Sequence, residues 1–306
     1  MTTPQLQDEI CIDKEYVGIS PPHNAHLPSV HELLDLCPRE NRRGSFALPS
    51  ELPVFWVKYG RGMFWNEVVA QDMAYHELRR LGSSVRAPAV FYAFKYDYKI
   101  YFVMEYIPGN TAEKSLKEAK SQAEKERVMN QVALSLSELH RIPITSGSRP
   151  AAADGGLVRH MIFHLEKAPR HYEDVGQLEN HLNEFLKGTK SVHRVTNLSL
   201  EPMVFCQSDL YPDNFMIDDT GHAVVINLFD ASILPSSFAR CSLQSNRFGF
   251  NICEQVWVPT TDGVDNSRVL SAVSGRMTTG YAFLASLGRR LPGGDKETQS
   301  RLEGHN

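Results

Sequence analysis

Between two apolar runs, the stretch Phe205-Cys-Gln-Ser-Asp-Leu-Tyr-Pro-Asp-Asn-Phe-Met-Ile217 sets a carboxylate, Asp209, five residues before a carboxamide, Asn214. Strand-forming residues continue through Phe215-Met-Ile217, turn residues follow at Asp219-Thr-Gly-His222, and Ala223-Val-Val-Ile226 returns. That pattern predicts a β-hairpin directly behind the polar loop. The residue leaving the hairpin is Asn227, so three oxygen-bearing side chains are tied to one short unit with apolar anchors. No other stretch constrains the architecture as strongly.

The rest of the chain must supply a core for that unit, and its composition allows it. The 306 residues are 42% hydrophobic, enough for one large domain or two lobes. Thirty-two basic and thirty-six acidic side chains give a formal charge of −4 with no long basic run, so nothing points to a phosphate-tracking surface and no nucleic-acid partner is expected. The start, Met1 to Ile10, is polar and acidic, unlike a secretory signal. Uncharged apolar runs fall short of the roughly 18 residues that span a bilayer, so no membrane association is expected. The five cysteines, at 11, 37, 206, 241 and 253, contain no Cys-x-x-Cys pair, which fits a reducing, cytoplasmic setting without a disulfide framework or zinc site.

Residues 1–50 read as an N-terminal extension packed on the first lobe, with a short helix around Val30 to Leu36. Val54-Phe-Trp-Val57 reads as a central strand that ends in Lys58. From Asn66 to Leu81 the residues Ala70, Ala74, Leu78 and Leu81 form one helical stripe, with Glu67 on its N-terminal continuation. Pro88 to Phe91 and Ile100 to Met104 read as strands around a hairpin at Lys95 to Lys99, and Glu105-Tyr-Ile-Pro-Gly109 ends the pattern. A continuous helix is predicted over Thr111 to Arg141, a loop over 145–157, and an amphipathic helix from His171 to Leu186. After Pro235 the chain reads as loop-rich, with a helical candidate at Ser267 to Leu287 and a polar tail over 292–306.

The strand lysine, the helix glutamates, Val103-Met-Glu-Tyr-Ile-Pro-Gly109 and the Asp209 to Asn214 loop with its hairpin together resemble the aminoglycoside phosphotransferase and choline kinase-like family, in its fungal-type form. The resemblance covers roughly residues 50–240. It implies an α+β, two-lobed protein kinase-like fold, with a small mixed-sheet N-lobe over 51–107 and a mainly helical C-lobe over 108–291. It also implies ATP and Mg²⁺ as cofactors and a small-molecule hydroxyl as acceptor. Carried over position by position, Asp209 would orient or deprotonate the hydroxyl, and Asn214 and Asn227 would hold metal. Lys58 would meet the α/β phosphates, steadied by a carboxylate from the following helix, and Met104, Glu105, Tyr106 and Ile107 would form the connector along the adenine edge. Glu67 is favoured as the partner of Lys58. Glu77 is its rival, about 80° away around a regular helix, and periodicity does not choose between them.

Each of these residues also has a plainer reading. Lys58 fits a snorkelling strand-end lysine, the glutamates fit solvated helix charges, and the connector fits a strand closing at a Pro-Gly turn. The sequence departs from the family at three places. Gln207 stands where the family has a loop-propping histidine, Asn227 stands where it has a metal-binding aspartate, and no Gly-x-Gly-x-x-Gly run precedes Lys58. Glutamine still donates and accepts hydrogen bonds, but Asn227 withdraws the negative charge that a hard divalent cation favours. The expectation is therefore an ATP-dependent phosphotransferase-like protein, with a catalytically impaired nucleotide-binding module and an interaction protein without a nucleotide site as the two rivals. Asp230 would supply a carboxylate only if its loop turned inwards, and Thr260 to Asn266 lies where the resemblance implies an acceptor pocket but reads first as a polar surface turn; the histidines 160, 164 and 171 read as surface or core polar groups, and Cys206 as a small buried apolar residue.

Overall fold

The computed structural model describes residues 10–38, 40, 42–245 and 251–278. Its first lobe is built from β1 (Lys14–Val17), α1 (Val30–Leu36), β2 (Arg43–Leu48), β3 (Phe55–Gly60), α2 (Trp65–Arg80), β4 (Val90–Tyr96) and β5 (Lys99–Glu105). The five strands lie in the order β1-β4-β5-β3-β2. The stretch 1–50, expected as an extension packed on this lobe, contains β1 and β2, the two edge strands of its sheet. Every pairing is antiparallel, whereas a mixed sheet was expected. The α2 crossover would create a parallel pair only if β4 lay beside β3, and β5 is inserted between them.

The two-residue period of β3 decides where its lysine goes. Phe55, Val57 and Tyr59 are buried on one face with Leu33, Phe91, Phe94 and Val103. Trp56 packs on the other, with Val68, Phe102 and Met104. Lys58 shares the Trp56 face because alternate strand residues share a face, and it sits opposite Phe102 in the register with β5. That is the side on which α2 packs.

The second lobe contains β6 (Gly109–Thr111), α3 (Ala112–Glu118), α4 (Gln122–His140), β7 (Ala151–Ala152), α5 (Val175–Gly188), β8 (Met203–Gln207), β9 (Phe215–Asp218), β10 (Ala223–Val225), β11 (Ala231–Pro235), α6 (Ser236–Leu243) and α7 (Ser267–Thr278). Two three-stranded sheets, β10-β9-β6 and β7-β11-β8, flank the polar loop. The hairpin read from the sequence is β9 and β10, with Phe215 opposite Val225. The architecture is α+β and two-lobed, as expected.

Three elements differ from expectation. The single helix over 111–141 is two, because Ser121 caps α4 by accepting from the Glu124 N–H at 3.2 Å. Glu124 in turn accepts from the Lys120 N–H at 2.6 Å, so a Ser-x-x-Glu start signal lies inside the stretch predicted as one helix. The 145–157 loop contains β7, which pairs with β11. Helix α6 lies in the segment read as loop, and its buried residues include Ser236, Ser237 and Ser242 beside Phe238 and Cys241. Small hydroxyl residues on the buried side leave no amphipathic stripe to read. The predicted helix at Ser267 to Leu287 is described to Thr278; its remainder and the polar tail lie outside the described residues.

Helix α2 joins the lobes. Its Ala70, Ala74 and Leu78 stripe packs not on the first sheet but into the core of the second lobe, with Met129, Val132 and Leu136 of α4 and Phe215 and Val225 of the hairpin. Polar side chains fix its position. Asn66 Nδ2 donates to the carbonyls of Phe229 and Ala231, both at 2.9 Å, and Asn66 Oδ1 accepts from the Asp154 N–H at 3.1 Å. Gln71 donates to the Val225 carbonyl at 3.3 Å. The helix carrying Glu67 is thereby bolted to the segment that carries Asn227.

Candidate functional site

Lys58, Glu67, Asn227, Asn214 and Asp209, drawn from a strand, a helix, a hairpin exit and a loop, form one continuous hydrogen-bonded chain. Lys58 Nζ lies 2.5 Å from Glu67 Oε1 and donates to Asn227 Oδ1 at 3.1 Å. Asn227 Nδ2 donates to Asn214 Oδ1 at 2.7 Å, and Asn214 Nδ2 donates to both the carbonyl and Oδ2 of Asp209 at 2.8 Å. The link from Lys58 to Asn227 joins residues 169 apart in sequence, so only the tertiary fold brings the two ends of the chain together. The Glu67 side chain is 2% exposed and that of Lys58 16% exposed. A carboxylate buried that deeply costs several kcal/mol of desolvation, roughly, unless a cation compensates it, and the lysine does. Glu77, the rival, is turned away and pairs with Arg80 at 2.6 Å.

The loop is held by its backbone. Pro212–Asn214 form one 3-10 turn, closed by the Asn214 N–H to the Tyr211 carbonyl at 2.9 Å. Gln207 Nε2 donates to the carbonyls of Asp209 and Asn227, at 3.1 and 3.0 Å, and so ties the start of the loop to the hairpin exit. Glutamine thus performs the bracing for which its hydrogen-bonding capacity qualified it. Its Oε1 and the hydroxyl of Ser208 are buried without a hydrogen-bond partner among the described residues. The sequence reading passed over Asn66 and Gln71, although both fall on the buried side of α2. Two amides at core positions of a helix were the available signal, since buried amides are kept only where they find partners.

The connector is already engaged through two of its N–H groups. The N–H groups of Glu105 and Tyr106 donate to the carbonyls of Ala89 and Val54, each at 2.9 Å. The Glu105 carboxylate accepts from the Ala89 N–H at 3.1 Å and from Arg86 at 2.7 Å, while Met104 and Ile107 are buried. A cavity of about 640 Å³ lies behind this connector, bounded by Pro21, Tyr75, Arg79, Arg86, Glu105 and Tyr106; neither Lys58 nor Asp209 lines it.

The other polar candidates are structural. Asp230 is fully buried and pairs with Arg159 at 2.6 Å, and the Arg159 guanidinium lies 3.6 Å from the centre of the Phe64 ring. Burial pushes the Asp230 carboxyl up to about 7, with the Arg159 charge opposing. In the Thr260 to Asn266 segment, Asn266 donates to the Thr196 carbonyl and Glu201, and accepts from the Thr196 N–H. Asp265 accepts from the Ser267 N–H at the start of α7. His160 is buried beside Phe238 and Ser242. Cys206 is buried, which raises its thiol pKa and leaves it a poor nucleophile.

Magnesium, implied by the resemblance, does not fit the side chains as they stand. The Asn214 oxygen expected to take the metal accepts a hydrogen bond from Asn227, and the Asn227 oxygen accepts from Lys58. The expected ligands instead satisfy one another. Among the described residues no cluster of three or more Asp, Glu, His or Cys side chains is arranged to hold a metal.

The model of the phosphotransferase enzyme family, APH, matches residues 66–233, more than half of the 306-residue chain. The chain belongs to the phosphotransferase enzyme family. No curated protein sequence matches it. Solved structures similar to this family member include a thermostable mutant of aminoglycoside phosphotransferase APH(4)-Ia in its apo form, at 15% identity and a TM-score of 0.43, covering 87% of this chain and 86% of that one. The streptomycin-ATP ternary complex of APH(2")-IIa, also at 15% identity and 0.43, covers 87% and 88%. The GDP and kanamycin complex of APH(2")-IIia, at 14% identity and 0.43, covers 93% and 84%. Among the described residues no helix is long and apolar enough to cross a membrane.

Proposed function

We propose that this family member binds ATP between its lobes and transfers a phosphoryl group to a hydroxyl of a small molecule. The observation that carries the reading is the hydrogen-bonded path from Lys58 to Asp209, which joins a phosphate-compatible cation in one lobe to a hydroxyl-compatible carboxylate in the other. Lys58, oriented by Glu67, meets the phosphate oxygens as a point charge. Asp209, whose Oδ2 is held by Asn214, accepts a hydrogen bond from the acceptor hydroxyl and aligns it for attack. The adenine edge is met by connector carbonyls and by the Ile107 N–H, since the N–H groups of Glu105 and Tyr106 are spent within the protein. No step of this reading is routed through magnesium.

A second reading, a nucleotide-binding module that has lost turnover, is favoured by the uncharged Asn227. Phosphoryl transfer depends on electrostatic stabilisation, and an amide supplies less of it than a carboxylate with its cation. The test joins thermal denaturation with ATP to release of ADP in the presence of a panel of amino alcohols, sugars, kanamycin and hygromycin B, for wild type and Asp209→Asn. Stabilisation by ATP with acceptor-dependent ADP release, reduced about 100-fold or more by Asp209→Asn, supports the enzyme. Stabilisation without ADP release for any acceptor supports the module. No stabilisation by ATP overturns both.

A further inference from the structure

We infer that the nucleotide site of this protein works without a divalent cation, because Asn227 takes the cation's place in joining the loop to Lys58. The inference rests on the proposed nucleotide site and concerns what that site requires of its ligand. Its foundation is the orientation of two amides, which the ends of the chain determine. Asp209 presents a carbonyl and a carboxylate oxygen to Asn214, and both can only accept, so the Asn214 NH₂ group faces them and its oxygen faces Asn227. Lys58 can only donate, so the Asn227 oxygen faces the lysine and its NH₂ group faces Asn214. Every link then runs donor to acceptor in one direction, from the ammonium group to the carboxylate.

An aspartate at position 227 would break that sequence. It would still accept from Lys58, but it has no hydrogen to give Asn214, and two oxygens would face each other across the 2.7 Å that now holds a hydrogen bond. Such a pair is stable with a hard cation between its oxygens, and an octahedral cation needs several oxygen donors facing it. Asn227 instead presents N–H hydrogens on that side, and an N–H repels a cation. The charge balance points the same way. An aspartate without its cation would repel the phosphate chain, whereas the neutral amide leaves Lys58 to attract the phosphates with one negative charge fewer beside it.

The test is calorimetric titration of ATP into wild type and Asn227→Asp, each in EDTA and in excess MgCl₂, with Mn²⁺ electron paramagnetic resonance on both proteins without nucleotide. Wild type is expected to bind ATP within about threefold of the same affinity in the two buffers and to leave Mn²⁺ free. Asn227→Asp is expected to gain at least about tenfold in affinity from magnesium and to hold Mn²⁺. Wild-type binding that strengthens tenfold or more with magnesium overturns the inference and leaves the nucleotide site standing. Equal behaviour of the two proteins also overturns it, by removing Asn227 from the role. Absence of ATP binding by wild type in both buffers removes the nucleotide site itself, and the inference with it. Should Asn227→Asp fail to fold, the two wild-type titrations and the Mn²⁺ spectrum decide the matter alone.

Discussion

Two networks in the second lobe are built from the same chemical parts, a carboxylate and a carboxamide linked to backbone, and they end differently. In one, Glu201 accepts from the Ser237 N–H and hydroxyl, both at 2.7 Å, and from Asn266 at 2.8 Å. Asn266 also exchanges two hydrogen bonds with Thr196, both at 3.0 Å, so the side chains of this cluster spend their capacity on one another and on neighbouring backbone. In the other, Asp209 and Asn214 are joined through Asn227 to the ammonium group of Lys58, and the loop that carries them leaves Gln207 Oε1 and the Ser208 hydroxyl buried without a partner among the described residues. A saturated network fixes α6 and α7 in place. A network that ends in a cation and carries unspent polar atoms is suited to receive a ligand.

The sharpest way to break this contrast is to cut the saturated network. Asn266→Ala removes a buried amide that serves Thr196 and Glu201, and it is expected to cost about 3 to 5 kcal/mol in urea unfolding while leaving the ATP affinity of the folded fraction within twofold. A large loss of affinity with little loss of stability would show that the two networks are not separate. A weaker probe of the structural side is pH. His140 is buried at the end of α4, with Nδ1 3.0 Å from the Trp257 carbonyl, and burial lowers its pKa from 6.5 to about 4. A histidine with a depressed folded pKa contributes stability that is present above its unfolded value of 6.5 and is lost as the pH falls through 4. Wild type is expected to lose up to about 3 kcal/mol between those values, and His140→Gln to lose correspondingly less, as read by unfolding at stepped pH.

How far the sequence disclosed these two networks follows from what each is made of. The candidate site was legible because its residues stand beside strong local signals: Lys58 at the end of an apolar strand, Glu67 on a helical stripe, Asp209 and Asn214 ahead of a hairpin. The choice between Glu67 and Glu77 was not legible, because it depends on how α2 is rotated against the second lobe. That rotation is set by Asn66 and Gln71 reaching backbone carbonyls 154 or more residues away. The hydrogen bonds already made by Asn214 and Asn227, the expected metal ligands, were not legible either. Residue types disclosed two oxygen donors, but only the three-dimensional arrangement shows that each oxygen already accepts a hydrogen bond. The saturated network was invisible for a further reason, since its members come from 196–201, 237 and 266 and share no local pattern.

The central claim is that the pair Lys58 and Glu67 forms part of a nucleotide site. Removing Lys58 alone would leave a buried carboxylate uncompensated and weaken the fold, so both members should be replaced together, as Lys58→Met with Glu67→Leu. Calorimetric titration of ATP into this double variant, shown to be folded by circular dichroism, is predicted to give an affinity at least about tenfold weaker than wild type, roughly 1.4 kcal/mol. An affinity equal to that of wild type would contradict the account.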